Sequence, residues 1–143
     1  MIDVKEQVNR VEYIMTKVGL QFSCAETEAG PAIALQLRVK AFEGNYLTVV
    51  ILFEDGMNSF LMSEPITFVL EERIDDVLRV LNRCNQRYRR MKFYLDGNAV
   101  VARCNVDLFE TNAARACLRA VTGCALAVND AYPDIMEAAW GNW

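Results

Sequence analysis

The chain has 143 residues, 53% of them hydrophobic and 24% charged, with five cysteines, no histidine and a formal net charge of −4. This length suits one domain that buries roughly 68–70% of its unfolded chain's surface and needs no disulfide or metal staple. The acidic balance argues against nucleic acid as the default partner, and the missing imidazole removes the usual base of serine and cysteine nucleophiles and a common ligand of catalytic zinc.

Val4, Val8, Val11, Ile14, Met15 and Val18 recur at three- and four-residue steps, so residues 3–18 are expected to form an amphipathic helix. Asp3 is its candidate N-cap, Glu6 the capping-box partner and Gly19 the stop. Leu20 to Gly30, with Phe22 and Cys24 on one side, fits a short edge strand punctuated by Gly30-Pro31. Residues 32–41 alternate: Ile33, Leu35, Leu37 and Val39 take one face, and Ala34, Gln36, Arg38 and Lys40 the other. A turn at Glu43-Gly44-Asn45 leads into a strand of another kind. In Tyr46–Phe53 both alternate sets are apolar, Tyr46, Thr48, Val50 and Leu52 on one side and Leu47, Val49, Ile51 and Phe53 on the other.

Asp55-Gly56 makes the next turn, Asn58–Met62 a third strand, and Ser63-Glu64-Pro65 breaks the sheet. Ile74, Val77, Leu78, Leu81, Cys84 and Tyr88 then mark a second helix over about 71–88, acidic at its start and basic at its end as the helix dipole favours. Phe93 and Leu95 against Val100 and Ala102, around Asp96-Gly97-Asn98, predict a hairpin ending near Cys104. A third helix is expected to open at Glu110 or Thr111 and run to about Val128, where Asn129-Asp130 interrupts it. Pro133 then suits the first turn of a terminal helix ending at Gly141. With no repeat and no linker, residues 1–143 read as one α+β domain, with a single antiparallel sheet and helices packed mainly on one face.

The longest uninterrupted apolar run, Val49–Phe53, is too short to span a membrane, and Met1–Glu6 lacks the basic and apolar blocks of a signal peptide. A cytoplasmic protein is expected. Cys24, Cys84, Cys104, Cys117 and Cys124 form no C-x-x-C pair and read as small, reduced, buried hydrophobes. Cys117 and Cys124, seven apart, share a helix face.

The segment Leu81-Asn82-Arg83-Cys84-Asn85 leads into Lys92-Phe93-Tyr94-Leu95-Asp96-Gly97 and the strand Ala99–Arg103, with Ala131-Tyr132-Pro133 later in the chain. This pattern resembles the YbjN-like proteins, described as bacterial sensory transduction regulators, over roughly residues 4–140. The order α-β-β-β-α-β-β-α is similar to that of class I type III secretion chaperones. The resemblance implies a small, non-enzymatic, dimeric protein that binds another protein. The basic run Arg87-Tyr88-Arg89-Arg90 departs from the family pattern.

Two features point to function. A sheet with helices on one face normally leaves the other wet and polar, yet Tyr46–Phe53 is apolar on both. Either the terminal segment with Trp140 and Trp143 shields the far face, or that face packs on a second subunit or a partner peptide. The candidate contact residues are therefore Tyr46, Thr48, Val50, Leu52, Trp140 and Trp143. Residues 79–92 hold six basic side chains and no acid, whereas the other 129 residues carry 9 basic (15 − 6) and 19 acidic ones. Arg83, Arg87, Arg89, Arg90 and Lys92 are either a solvated helix end or a patch for an acidic protein, a phosphorylated ligand or nucleic acid. Asn85 is expected to satisfy backbone groups between helix and hairpin. Asp96-Gly97-Asn98 lacks the further oxygens that calcium needs, and Glu54-Asp55 and Glu71-Glu72 read as solvated charge. No catalytic residue, cofactor or metal is expected. The reading is a chaperone-like or regulatory protein-binding module, probing a partner segment with an apolar sheet face and forming a homodimer. The alternative is a regulator of nucleic acid or a phosphate ligand acting through Arg83–Lys92.

Overall fold

A computed structural model describes residues 3–40, 46–108 and 112–141. The expected turn at Glu43-Gly44-Asn45, the helix start at Glu110 or Thr111, and Trp143 lie outside them. Among the described residues the chain forms α1 (Val4–Lys17), β1 (Phe22–Thr27), β2 (Gly30–Arg38), β3 (Tyr46–Phe53), β4 (Asn58–Ser63), β5 (Thr67–Phe68), α2 (Ile74–Arg87), β6 (Lys92–Asp96), β7 (Ala99–Asp107) and α3 (Ala113–Trp140). All strand pairings are antiparallel. The order across the sheet is β1-β2-β3-β4-β7-β6, with β5 continuing the line of β4 along β7. The α+β class and the single open sheet are as the sequence predicts.

α1 starts as its cap predicts, with the Glu6 N–H donating to Asp3 Oδ1 at 2.8 Å. The glycine at position 30 opens β2 instead of punctuating the chain before it; the turn is Glu28-Ala29. Its φ of +131° and its closeness to Phe53, whose carbonyl oxygen would lie 2.5 Å from an added Cβ, explain why no larger residue fits. Pro31 follows on the strand, opposite Glu26 of β1.

Two sequence expectations change between β4 and α2. The Ser63-Glu64-Pro65 break is a two-residue slip, not the end of pairing: Met62 is opposite Arg103, and Thr67 resumes opposite Val100. The Ser63 hydroxyl accepts from the buried Ala102 N–H at 2.8 Å, and the Ile66 N–H donates to the Val100 carbonyl at 2.7 Å, so both of these β7 groups are satisfied across the slip. Residues 71–73 form one 3-10 turn before α2, and Leu78 faces solvent.

α3 is one helix of 28 residues, not two. Pro133 cannot donate to the carbonyl four residues earlier. The helix nevertheless continues, because Val128, Ala131, Ile135 and Ala139 on either side of the proline are all buried. α3 runs between α1 and α2 and packs on β2, β5 and β7. Its buried face, with that of α1 (Val8, Val11, Met15) and of α2 (Val77, Leu81, Cys84), closes over Ile33, Val49, Ile51, Leu61, Phe93 and Val100 as one core. Gln7 enters this core and donates to the Gly56 carbonyl at 2.8 Å, tying α1 to the β3–β4 turn. The helices thus occupy one side of the sheet.

Candidate functional site

The side of the sheet away from the helices is the first candidate surface. Along β3 the exposure alternates: Leu47, Val49, Ile51 and Phe53 are buried, Thr48, Val50 and Leu52 are half-buried, and Tyr46 is exposed. The register sets Val50 between Ala34 and Met62, and Leu52 between Ala32 and Phe60. These side chains form a continuous apolar strip, and no described helix lies over it. Its border is polar. Gln36 and Arg38 flank it on β2, and on β7 the Arg103 guanidinium lies 4.0 Å from the centre of the Phe60 ring, a cation–π arrangement. The Tyr94 hydroxyl reaches Met62 Sδ at 3.9 Å.

The described part of the terminal segment, which ends at Gly141, does not shield this strip. α3 lies on the helix side, and Trp140 at its end donates from Nε1 to Thr67 Oγ1 at 3.0 Å. Trp140 is therefore remote from Tyr46, Thr48, Val50 and Leu52, and Trp143 is outside the described residues.

The second candidate is a groove of about 1150 Å³ bounded by the α2–β6 connection, β7 and α3. Arg87, Arg89, Arg90 and Lys92 of the basic stretch line it. Arg103, Arg115 and Arg119 join them from β7 and α3, so the described lining holds seven cationic side chains against one acid, Asp107. Sequence reasoning missed those three. Arg115 and Arg119 were detectable, since like charges four apart on one helix face gather at a cost that something must offset. Ala116, Ala120 and Gly123 of α3 leave the groove deep, and a Cβ added at Gly123 would meet nothing within 4 Å.

Several of these charges have local work. Arg87 pairs with Asp130 at 3.3 Å, and the Tyr88 hydroxyl donates to the same carboxylate. The tyrosine's hydrogen bond, then the arginine charge, holds the Asp130 carboxyl below the usual range. Burial and that same bond push Tyr88 up to about 12. Lys92 Nζ donates to the Asn85 and Tyr88 carbonyls at 2.8 and 3.0 Å, closing the end of α2. Arg89, Arg90, Arg115 and Arg119 are exposed and make no ion pair with any described residue. Arg83 is separated from the others. It lines a smaller basin of about 550 Å³ in which Arg73, Arg79 and Arg83 face Asp76, Asp134 and Glu137, a balanced set.

Asn85 does what its position predicts. Its amide donates to the Phe93 carbonyl at 2.9 Å and accepts from the Phe93 N–H at 2.7 Å, standing in for a neighbouring strand on the outer edge of β6. Four cysteines are buried, but Cys24 is exposed, as is every residue of the edge strand β1 after Phe22. Partial burial, and then the hydrogen bond to Glu12 at 3.0 Å, push its thiol up to about 11. Burial holds Cys117 and Cys124 at about 12. None of these is an activated thiolate at neutral pH. Among the described residues no three His, Cys, Asp or Glu side chains gather as a metal site, and no helix is long and apolar enough to cross a membrane.

Nothing among curated proteins and nothing among solved structures matches the chain. A family model described as putative bacterial sensory transduction regulator matches residues 7–137. That span runs from the first turns of α1 almost to the end of α3 and includes the whole sheet, the apolar strip and the basic groove, and on this match the chain belongs to the YbjN family.

Proposed function

We propose that the protein is a non-enzymatic, chaperone-like regulator that works by binding polypeptide through the open face of its sheet, and that in isolation a second copy of the chain occupies this face. The observation that carries the reading is the strip formed by Val50, Leu52, Phe60 and Met62, half-buried and under no described helix. Leaving such a strip in water forgoes roughly 25 cal/mol for each Å² that a partner would cover. Its polar border, Gln36, Arg38 and Arg103, resembles the rim of a protein interface around an apolar centre. Binding of this kind needs no nucleophile, in keeping with a family of regulators and a chain without histidine.

The test is the mass of the native particle by light scattering. Twice the 16.2 kDa chain mass is expected for the wild type, and the single-chain mass for Leu52→Lys, with an unchanged circular dichroism spectrum. A wild type that stays single at high concentration rejects the homodimer. One observation favours a second reading, a regulator of nucleic acid or a phosphate ligand: the cationic groove formed with Arg87, Arg89, Arg90 and Lys92. Salt-dependent retention on heparin, abolished by Arg89→Ala with Arg90→Ala, is its expected signature.

A further inference from the structure

The groove and the strand beside it fit together. β7 runs to Asp107, but its hairpin partner β6 starts opposite Arg103, so the last four residues of β7 have no described strand on that side. Amides along a strand point alternately to its two edges. The Val100 carbonyl and the Leu108 N–H both bond toward the β4–β5 edge, at 2.7 and 2.8 Å, so even-numbered residues face that way. Asn105 and Asp107 therefore turn their N–H and C=O groups to the other edge, into the groove, where no described backbone group meets them. On β6 the same side is closed at Phe93, whose outward N–H and carbonyl are taken by Asn85. The open stretch of β7 is the part that lies beside the groove.

We propose that the groove takes an extended, acidic segment of a partner protein, which adds as a short strand to β7 at Asn105 and Asp107. Strand addition supplies main-chain hydrogen bonds, and the flanking side chains choose the sequence. A strand beside β7 would lie about 4.8 Å away, in the space left open by Ala116, Ala120 and Gly123. Its carboxylates would meet Arg115 and Arg119 from α3 and Arg89 and Arg90 from the connection, none of which is ion-paired with a described residue. The smaller basin sharpens the contrast, since its arginines already face three acids of the same chain. Clustered arginines also deter two copies from pairing through this edge, as like charges there repel. The site thus selects a foreign acidic strand over a second copy, and it meets the apolar strip only at its border, through Tyr94 and Arg103.

The probe is a short labelled peptide of alternating Glu and Val, followed by fluorescence anisotropy and amide hydrogen exchange. It is expected to bind, to weaken as salt rises, and to slow exchange at Asn105 and Asp107. Arg115→Glu with Arg119→Glu, both exposed positions, should lower affinity by at least about tenfold. Gly123→Leu should block binding by filling the groove while leaving every charge in place. The same peptide N-methylated at alternate residues should not bind, and Leu52→Lys should leave binding unchanged, which separates this site from the sheet face. Absence of binding to the unmodified peptide, unchanged exchange at Asn105 and Asp107, or tighter binding of an oligothymidylate that ignores Gly123→Leu would each overturn the proposal.

Discussion

The two faces of β3 carry side chains of the same kind and meet different fates. Val49 and Ile51 are sealed on the helix side at 0% exposure, whereas Val50 and Leu52, one position along, are only half-buried. An apolar strand face reports that it needs cover, but not what supplies the cover. On one side the cover is the chain's own helices. On the other, we propose that a second polypeptide supplies it.

The largest effect that could break this contrast is in stability. Ile51→Ala should cost about 2–5 kcal/mol in urea unfolding, because it leaves a cavity in a closed core. Leu52→Ala, measured at a concentration where the particle is a single chain, should cost less, about 1–2 kcal/mol, since part of its surface stays wet in the folded chain and its loss leaves no closed cavity. Equal losses would mean that the two faces are alike. A smaller effect, about 1–3 kcal/mol, is expected for Asn85→Ala, which strands the amide and carbonyl of Phe93. Faster hydrogen exchange at Phe93 would locate the damage on the edge of β6.

The thiols sharpen the contrast on the helix side. Mass-resolved alkylation of the native protein should label Cys24 alone among the five, slowly at neutral pH and faster as pH rises toward about 11. Glu12→Gln should speed it by removing a hydrogen-bonded negative charge. Rapid labelling of Cys117 or Cys124 would show that the helical cover is loose. The smallest effect is in the acid limb. The Asn58 side chain first, and then the backbone amides of Met57 and Asn58, hold Asp55 below its usual range. A depressed carboxylate contributes stability above its unfolded pKa of about 3.9, and this is lost as pH falls through the folded value. Asp55→Asn should therefore flatten the loss of stability below about pH 4.

Much of this architecture was legible in the sequence because the chain's periods are clean. α1 and its Asp3 cap, the alternation of β2, the double apolar pattern of β3 and the Asn85 bridge all follow from local spacing. What escaped depends on long-range pairing. β5 is two residues long and is a strand only because β7 lies beside it. β7 outlasts its own hairpin because β4, some 45 residues earlier, pairs with its last residues, and that overhang creates the open edge. α3 absorbs Pro133 because buried residues flank it. The basic run was visible, but its division was not: helix geometry sends Arg83 to a balanced basin and brings in Arg103, Arg115 and Arg119 from elsewhere.

Peroxide oxidation offers the most direct test, with Met62 on the open face and the exposed Met57 as an internal reference. If a second copy covers the strip, Met62 should oxidise slowly in concentrated protein and approach its intrinsic rate on dilution, while Met57 keeps one rate throughout. A Met62 rate that does not change with concentration, at any ratio to Met57, would contradict the account.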